Sequence, residues 1–346
     1  MSGNVADRLT VGQLSERELL AQIFPRLANS SSVLLGPGDD AAVVAAPDGR
    51  TVISMDTQVQ DQDFRLHWNN GYASTGFDVG WKAAAQNLSD INAMGAVATG
   101  MVVSLTMPPQ TELEWMRDLT EGLSRAITEL GADRCAVVGG DLSSGRELVV
   151  TVSVIGDLEG RAPVLRSGAE AGDRLAICGA LGRAGAGWAL LESENSISSL
   201  NADQLALLDS FRCPRPPLLA GPAAARAGAT SMLDVSDGLI RDAGRLALAS
   251  EVQIDLDPGV LRELARPLEP AARLLGRNAV DWVLGGGEDH GLLSTFGPRS
   301  ALPPGFTVIG SVRSKADNDT NPAGVQAPVT VAGQRSDVVG WDHFAD

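Results

Sequence analysis

The sequence predicts a two-domain α/β protein, and three observations point there. The chain has 346 residues, a length that suits two domains of ordinary size. Hydrophobic residues make up 44% of it, enough to fill real cores. Runs with strand and helix character alternate from end to end without a short-period repeat.

Residues 51–55 read as a short strand. Residues 78–94 read as a helix, because Val79, Leu88, Ile91 and Met94 fall near one face. The β-rich run 98–106 stops at Pro108-Pro109, and 111–130 is an amphipathic helix ending before Gly131. Strands are expected at 136–138 and 148–155, and together these elements form a first unit, 1–158. In the second unit, 159–346, a strand at 174–178 runs into the Gly-rich turn 179–187 and a helix through Leu191. Residues 192–201 read as an exposed loop, and Pro214, Pro216 and Pro217 precede another helix. A strand at 232–235, a helix at 238–249 and further α/β elements to Val312 follow, then a polar loop or hairpin at 314–326. An Asp-bearing loop followed by a helix occurs in both halves.

The formal net charge of −16 argues against a surface that grips nucleic acid. No run of about 18 apolar residues suggests a membrane span, and the polar first ten residues lack a signal core, so a cytoplasmic protein is expected. Three scattered cysteines, Cys135, Cys178 and Cys213, give neither a CxxC pair nor a zinc spacing, as in a reducing compartment. The three histidines, His67, His290 and His343, form no HExxH.

Many aspartates fall in short, Gly-rich stretches predicted to be loops. Five clusters stand out: Gly38-Asp39-Asp40-Ala41-Ala42, Ser54-Met55-Asp56-Thr57, Asn87-Leu88-Ser89-Asp90, Gly139-Gly140-Asp141 and Asp234-Val235-Ser236-Asp237-Gly238. Taken alone, each acid reads first as a helix cap or turn residue, Asp237 ahead of the 238–249 helix above all. The set reads differently, since capping needs no doublet such as Asp39-Asp40. Magnesium takes oxygen ligands, commonly one or two carboxylates plus substrate phosphates. There is no GxxxxGK[ST] loop, and neither of the two lysines, Lys82 and Lys315, follows a Gly-rich stretch. Like charges about 4 Å apart repel by on the order of 4 kcal/mol at an effective dielectric of 20. A polyphosphate bound here must therefore bring several divalent ions. Gly36–Gly38 and Gly139-Gly140 then allow backbone to approach phosphate, although each alone reads first as a tight turn. Gly285-Gly286-Gly287-Glu288-Asp289-His290 is a loop that fits against something large, or a βα turn with exposed charges.

Eight segments, in order and at approximate spacing, resemble thiamine-monophosphate kinase, of the superfamily of aminoimidazole ribonucleotide synthetase and selenophosphate synthetase. They are GPGDDAAVV (36–44), SMDTQV (54–59), NLSDINAMGA (87–96), GGDLSSG (139–145), RSGAEAGD (166–173), DVSDGL (234–239), GGGED (285–289) and GWDHF (340–344). The resemblance implies an N-terminal α/β domain whose strands form a β-barrel across a homodimer, and a C-terminal α/β domain. ATP and several Mg2+ ions would lie between them, with thiamine monophosphate as acceptor and direct, in-line γ-phosphoryl transfer. No general base is implied, because the acceptor phosphate oxygen is already anionic. By motif position, Asp40, Ser54, Asp56, Asp90, Asp141, Asp234 and Asp237 resemble metal ligands, with Met55 contributing backbone. Gly140, Asp141, Arg166 and Ser236 match ATP-contacting positions, and Arg166 reads alternatively as a surface ion pair. Glu288 and Trp341 match positions contacting the cationic thiazolium, and Trp341 reads alternatively as a core residue.

Some positions depart from the family pattern. Where the family has a histidine before phenylalanine near the substrate, this chain has Asp63-Phe64, so Asp63, or His67 just downstream, stands there. The stretch 68–77 is longer, His290-Gly291 replaces Tyr-Glu, and Met55 replaces a hydroxyl residue. These changes leave the ATP and metal apparatus in place and alter the substrate end.

The rival reading is another ATP-using enzyme of the same superfamily with a different phosphate acceptor. Selenophosphate synthetase needs a reactive Cys or selenocysteine and a Gly-loop Lys, neither of which occurs before residue 80. Aminoimidazole ribonucleotide synthetase lacks the SMDTQV and GWDHF pairing. A carbamoyl-group dehydratase ends in Cys, whereas this chain ends His343-Phe344-Ala345-Asp346. A non-catalytic cation binder would show the regular D-x-[DN]-x-[DN]-G spacing, which is absent.

Overall fold

Two sheets carry the chain, and helices cover one face of the first and both faces of the second. The structure, a computed structural model, describes residues 9–14, 16–27, 30–35, 43–315 and 327–341. In the first half the order is α1 (Glu16–Ile23), β1 (Val33–Leu35), β2 (Val43–Val44), β3 (Val52–Val59), α2 (Gly76–Ala93), β4 (Val97–Met107), α3 (Leu113–Glu129), β5 (Val137–Ser144) and β6 (Val149–Asp157). Strands β1 and β2 pair with each other, and the main sheet runs β3-β6-β4-β5. Its pairs are antiparallel except β4 with β5.

The alternation of a half-buried sheet explains what this sheet does. Val150, Val152 and Val154 of β6 and Met101, Val103 and Leu105 of β4 point into a core shared with α2 and α3. The other face stays open, with Ile53 70%, Met55 63% and Val102 42% exposed.

The second half runs β7 (Arg174–Cys178), α4 (Arg183–Glu192), α5 (Ala202–Arg212), α6 (Ala220–Arg226), β8 (Ala229–Val235), α7 (Leu239–Ala249), β9 (Val252–Leu256), α8 (Pro258–Ala265), α9 (Glu269–Leu275), α10 (Ala279–Gly285), β10 (Gly291–Phe296), β11 (Phe306–Ser314) and β12 (Val329–Val331). Its six-stranded sheet is ordered β12-β9-β11-β7-β10-β8. Only β12 with β9 is parallel. Every residue of β9 and β10 is buried, because apolar clusters lie on both sides.

Helix α2 joins the halves. A reciprocal Thr75/Asp78 capping box starts it. It is buried on nearly every side, which a helix lying between a sheet and a second layer must be. Two of its side chains reach the second half: the Trp81 indole donates to the Pro214 carbonyl at 2.8 Å, and the Asn92 Oδ1 accepts from the Gly221 amide at 2.7 Å.

Asp56 and Asp141 lie in β3 and β5, beyond the strand ends expected at 55 and 138, whereas Ser54, Asp90 and Asp234 lie in β3, α2 and β8 within the elements expected for them. The strands expected at 51–55 and 136–138 extend to Val59 and Ser144. Glycine misled the reading of 139–141: a Cβ on Gly140 would sit 2.0 Å from the Val103 carbonyl, so this glycine serves close strand approach rather than a turn. The N-cap of α7 is Gly238, not Asp237. Asp39, Asp40, the stretch 316–326 and residues 342–344 lie outside the described residues. No described helix is long and apolar enough to cross a membrane, and all three cysteines are free.

Candidate active site

Alternation along β3 aims Ser54 and Asp56 toward α2 and turns the Met55 side chain to the open face. The Ser54 hydroxyl donates to Asp90 at 2.5 Å. The Asp56 amide donates to the Asn87 Oδ1 at 3.1 Å, and the Asn87 Nδ2 is itself fixed on the Ala83 carbonyl at 2.9 Å. From the other half, Asp234 near the end of β8 presents Oδ2 to the Ser89 hydroxyl at 3.0 Å and to the His290 Nδ1 at 3.2 Å. Residues 87–90 of α2 thus connect acids from two different sheets.

These acids feel one another. Burial, then the charges of Asp234 and Asp56, push the Asp90 carboxyl up to about 7, with Ser54 and His290 offsetting part of the rise. Burial also raises Asp56; His290 counters it, while Asp234, Asp63 and Asp237 add to it. For His290, burial works to lower the pKa, but the hydrogen bond and charge of Asp234, with Glu288 and Asp90, outweigh it and raise it. Oxygen donors whose carboxylates disfavour each other's ionisation are the chemistry a hard dication suits, and the donor set fits magnesium on that ground. Among the described residues, no three His, Cys, Asp or Glu groups already surround one metal position.

The remaining ligand and ATP positions lie elsewhere. The Asp237 carboxylate is 2.6 Å from Arg245 and 3.6 Å from Arg241, and its amide donates to Asp242 at 2.8 Å. The Ser236 carbonyl accepts from the Glu288 amide at 2.8 Å. Arg166 is exposed, and its carbonyl accepts from the Ser231 hydroxyl at 2.9 Å and the Ser250 hydroxyl at 2.8 Å. Gly140 and Asp141 are on β5, at the opposite edge of the sheet from β3. Three strand spacings make that roughly 14 Å. Asp141 is exposed there and accepts from Ser143 at 2.9 Å. The structure therefore gathers Ser54, Asp56, Asp90 and Asp234, and leaves Asp141, Gly140 and Arg166 apart from them.

The three substrate positions share one neighbourhood. The Trp341 amide donates to the Asp237 carbonyl at 2.8 Å, and its ring meets Trp188 edge-on at 5.1 Å. Trp188 stacks on Phe211 at 6.4 Å. The Lys82 ammonium lies 4.0 Å from the Phe211 ring centroid, donates to the Asp63 carbonyl at 2.8 Å and is ion-paired with Glu288. The Asp63 carboxylate accepts from the Val59 amide at 2.7 Å. Gly287 permits the tight approach of the Glu288 loop, since a Cβ there would be 2.4 Å from the Ser236 carbonyl. The 68–77 stretch docks on the end of α4: the Asn70 amide donates to the Leu191 carbonyl at 3.2 Å, and Trp68 packs edge-on to Phe211 at 5.6 Å. His67 is exposed in a bridge with Ala73, so the buried histidine at the acids is His290.

Lys82, Asn87, Ser89, His290, Trp188 and Phe211 were not assigned roles from the sequence. Lys82 carried a signal, as one of two lysines and flanked by the apolar Trp81 and Ala83 on a helix. His290 carried one as a departure from the family pattern. The two aromatics carried none, because their partners come from distant segments.

Residues 38–158 match the family described as AIR synthase related protein, N-terminal domain. A solved structure of AaThiL complexed with AMPPCP and TMP is 27% identical, with a TM-score of 0.72, covering 98% of this chain and 100% of that one. Thiamine-monophosphate kinase of Corynebacterium glutamicum is 37% identical over 342 residues, 96% of each chain. The thiamine-monophosphate kinase of Mycobacterium tuberculosis strain H37Rv is 47% identical over 304 residues, 88% of this chain and 86% of that one. At that identity and coverage, the chain belongs to the thiamine-monophosphate kinase family.

Proposed function

We propose that this protein transfers the γ-phosphoryl group of ATP to thiamine monophosphate, giving thiamine diphosphate. The observation that carries the reading is the meeting of Asp56, Asp90 and Asp234, from β3, α2 and β8, where burial and then the charges of Asp234 and Asp56 raise Asp90 to about 7. Ser54, Asp56, Asp90 and Asp234 would hold magnesium, joined by Asp40, Asp237 and the Met55 backbone, while Asp141, at the far edge of the sheet, would join only from a second copy. Magnesium, when bound, supplies the positive charge that lets a triphosphate approach these acids. Ser89 and His290 fix the direction of the Asp234 carboxylate, Ser54 engages that of Asp90, and Asn87 holds the Asp56 backbone. Gly140, Asp141, Arg166 and Ser236 would contact ATP. Glu288 and Trp341 offer a carboxylate and an aromatic plane to the thiazolium cation, with Asp63 beside them. The acceptor is already an anion, so the chain needs to position it rather than deprotonate it.

A homodimer belongs to this reading. The open face of the first sheet, with Ile53, Met55 and Val102 exposed, is an apolar surface that a second copy would cover. Asp141, in register with Ser104 on β4, stands on that same face, so its part in ATP binding would belong to the assembled pair.

Coupled ADP release with Mg-ATP, with and without thiamine monophosphate, tests the reaction. Turnover is expected only with that acceptor. A strong preference for unphosphorylated thiamine or for formylglycinamidine ribonucleotide would overturn the reading.

A further inference from the structure

Lys82 is an expensive residue for its position. Its side chain is 3% exposed on a helix where its neighbours Trp81 and Ala83 are also buried, and where alanine or leucine would avoid burying a charge. Its ammonium is fully engaged. One side meets the Glu288 carboxylate, another the Asp63 carbonyl at 2.8 Å, and the Phe211 ring centroid lies 4.0 Å away. An amine so held faces its protein partners rather than solvent.

Its partners differ from it in accessibility. The Glu288 side chain is 32% exposed, so it reaches from the buried ammonium to the open side of the loop. Glu288 also sits at φ +65°, a backbone conformation uncommon for glutamate. Asp63 ends the segment after β3, whereas Glu288 belongs to the loop after α10. One cation therefore ties a turn of the first half to a loop of the second, against the ring that carries Trp188 and, through it, Trp341.

We infer that Lys82 is a positioning residue that holds Glu288, Asp63 and the Phe211 face in one arrangement, and thereby sets the affinity of the pocket for a cationic heteroaromatic substrate. The inference rests on the assignment of this pocket to thiamine monophosphate. Lys82 acts through Glu288 and touches no reacting atom. A group that orients the substrate's non-reacting ring contributes equally to ground and transition states, so its loss raises KM and spares kcat.

The test compares steady-state kinetics of the intact wild type with K82M, K82R, E288Q and K82M/E288Q, alongside thermal melts. K82M should raise KM for thiamine monophosphate by about 10-fold or more, as expected for losing a charged hydrogen bond. KM for ATP should stay within about 2-fold, with kcat close to wild type. K82R should recover part of the loss, because its planar fork keeps the charge but cannot meet carboxylate, carbonyl and ring from one point. The double variant should be no worse than E288Q alone. Additive losses in the double variant, or equal rises in both KM values tracking a lower melting temperature, would show a merely structural lysine and overturn the inference. If K82M does not fold, K82R and K82R/E288Q complete the same cycle. A wild type that never turns over thiamine monophosphate would sink the functional reading itself, whereas an active wild type with an additive cycle sinks Lys82 alone.

Discussion

His290 holds Asp234: the imidazole Nδ1 lies 3.2 Å from the carboxylate Oδ2, which the Ser89 hydroxyl engages from the opposite half at 3.0 Å. The other ring nitrogen has no hydrogen-bond partner among the described residues. The imidazole fixes the direction of a proposed metal ligand, as outer-shell partners of ligands do. Replacing His290 with Ala should weaken magnesium binding by about 10-fold or more. Calorimetric titration with magnesium and the magnesium dependence of turnover both read this, and an unchanged affinity would leave His290 as packing only.

Asp56→Ala should lower turnover by about 100-fold or more, the scale of losing one preorganised electrostatic contact. Cooperative unfolding should persist, because the Asp56 backbone amide, not its side chain, makes the bond to Asn87. Near-normal activity would remove Asp56 from the site.

Ile53→Glu places a charge on the most exposed apolar position of β3, 70% open in the single chain. If a second copy covers this face, the burial of an unpaired charge should shift the protein to monomer in sedimentation or light scattering. A mass unchanged from wild type would mean that this face is not the interface.

Asp289 gives a pH-dependent prediction. It is buried, and its Oδ1 accepts from the Ala184 amide at 2.9 Å, at the start of α4. Burial raises its carboxyl from 3.8 to about 6, against the lowering effect of the backbone donors at Ala184, Gly182 and Arg183. The native state therefore keeps this proton more tightly than the unfolded chain, and stability falls as pH rises through that window, levelling above it. Asp289→Asn retains an acceptor for Ala184 but cannot ionise. Its stability relative to wild type should improve by on the order of 2 kcal/mol between about pH 4 and pH 7, read from urea midpoints. Parallel pH profiles would refute the assignment.

Much of the fold was legible because local pattern and burial agree in it. The 174–178 strand was found with its observed bounds, and the α2 and α3 helices within two residues, since each rests on periodicity and nearby turn or cap signals. The reading failed where glycine was taken for a turn. Gly139-Gly140-Asp141 is inside β5, and Gly140 is required by the proximity of Val103 on β4, a neighbour no local window contains. Asp56 fell one residue past its expected strand, although β3 continues to Val59, whereas Asp90 and Asp234 fell within the expected helix and strand.

The sequence by itself determined the family, the α/β class and the identity of the acids, because those depend on residue type and order. Tertiary structure decided the company each acid keeps. Ser54, Ser89 and His290 reach the cluster from three elements, Asp237 turns to Arg245, and Lys82 becomes the link between Asp63 and Glu288. Hydrogen bonds and ion pairs act over a few ångströms. Only the folded chain brings side chains more than a hundred residues apart within that range.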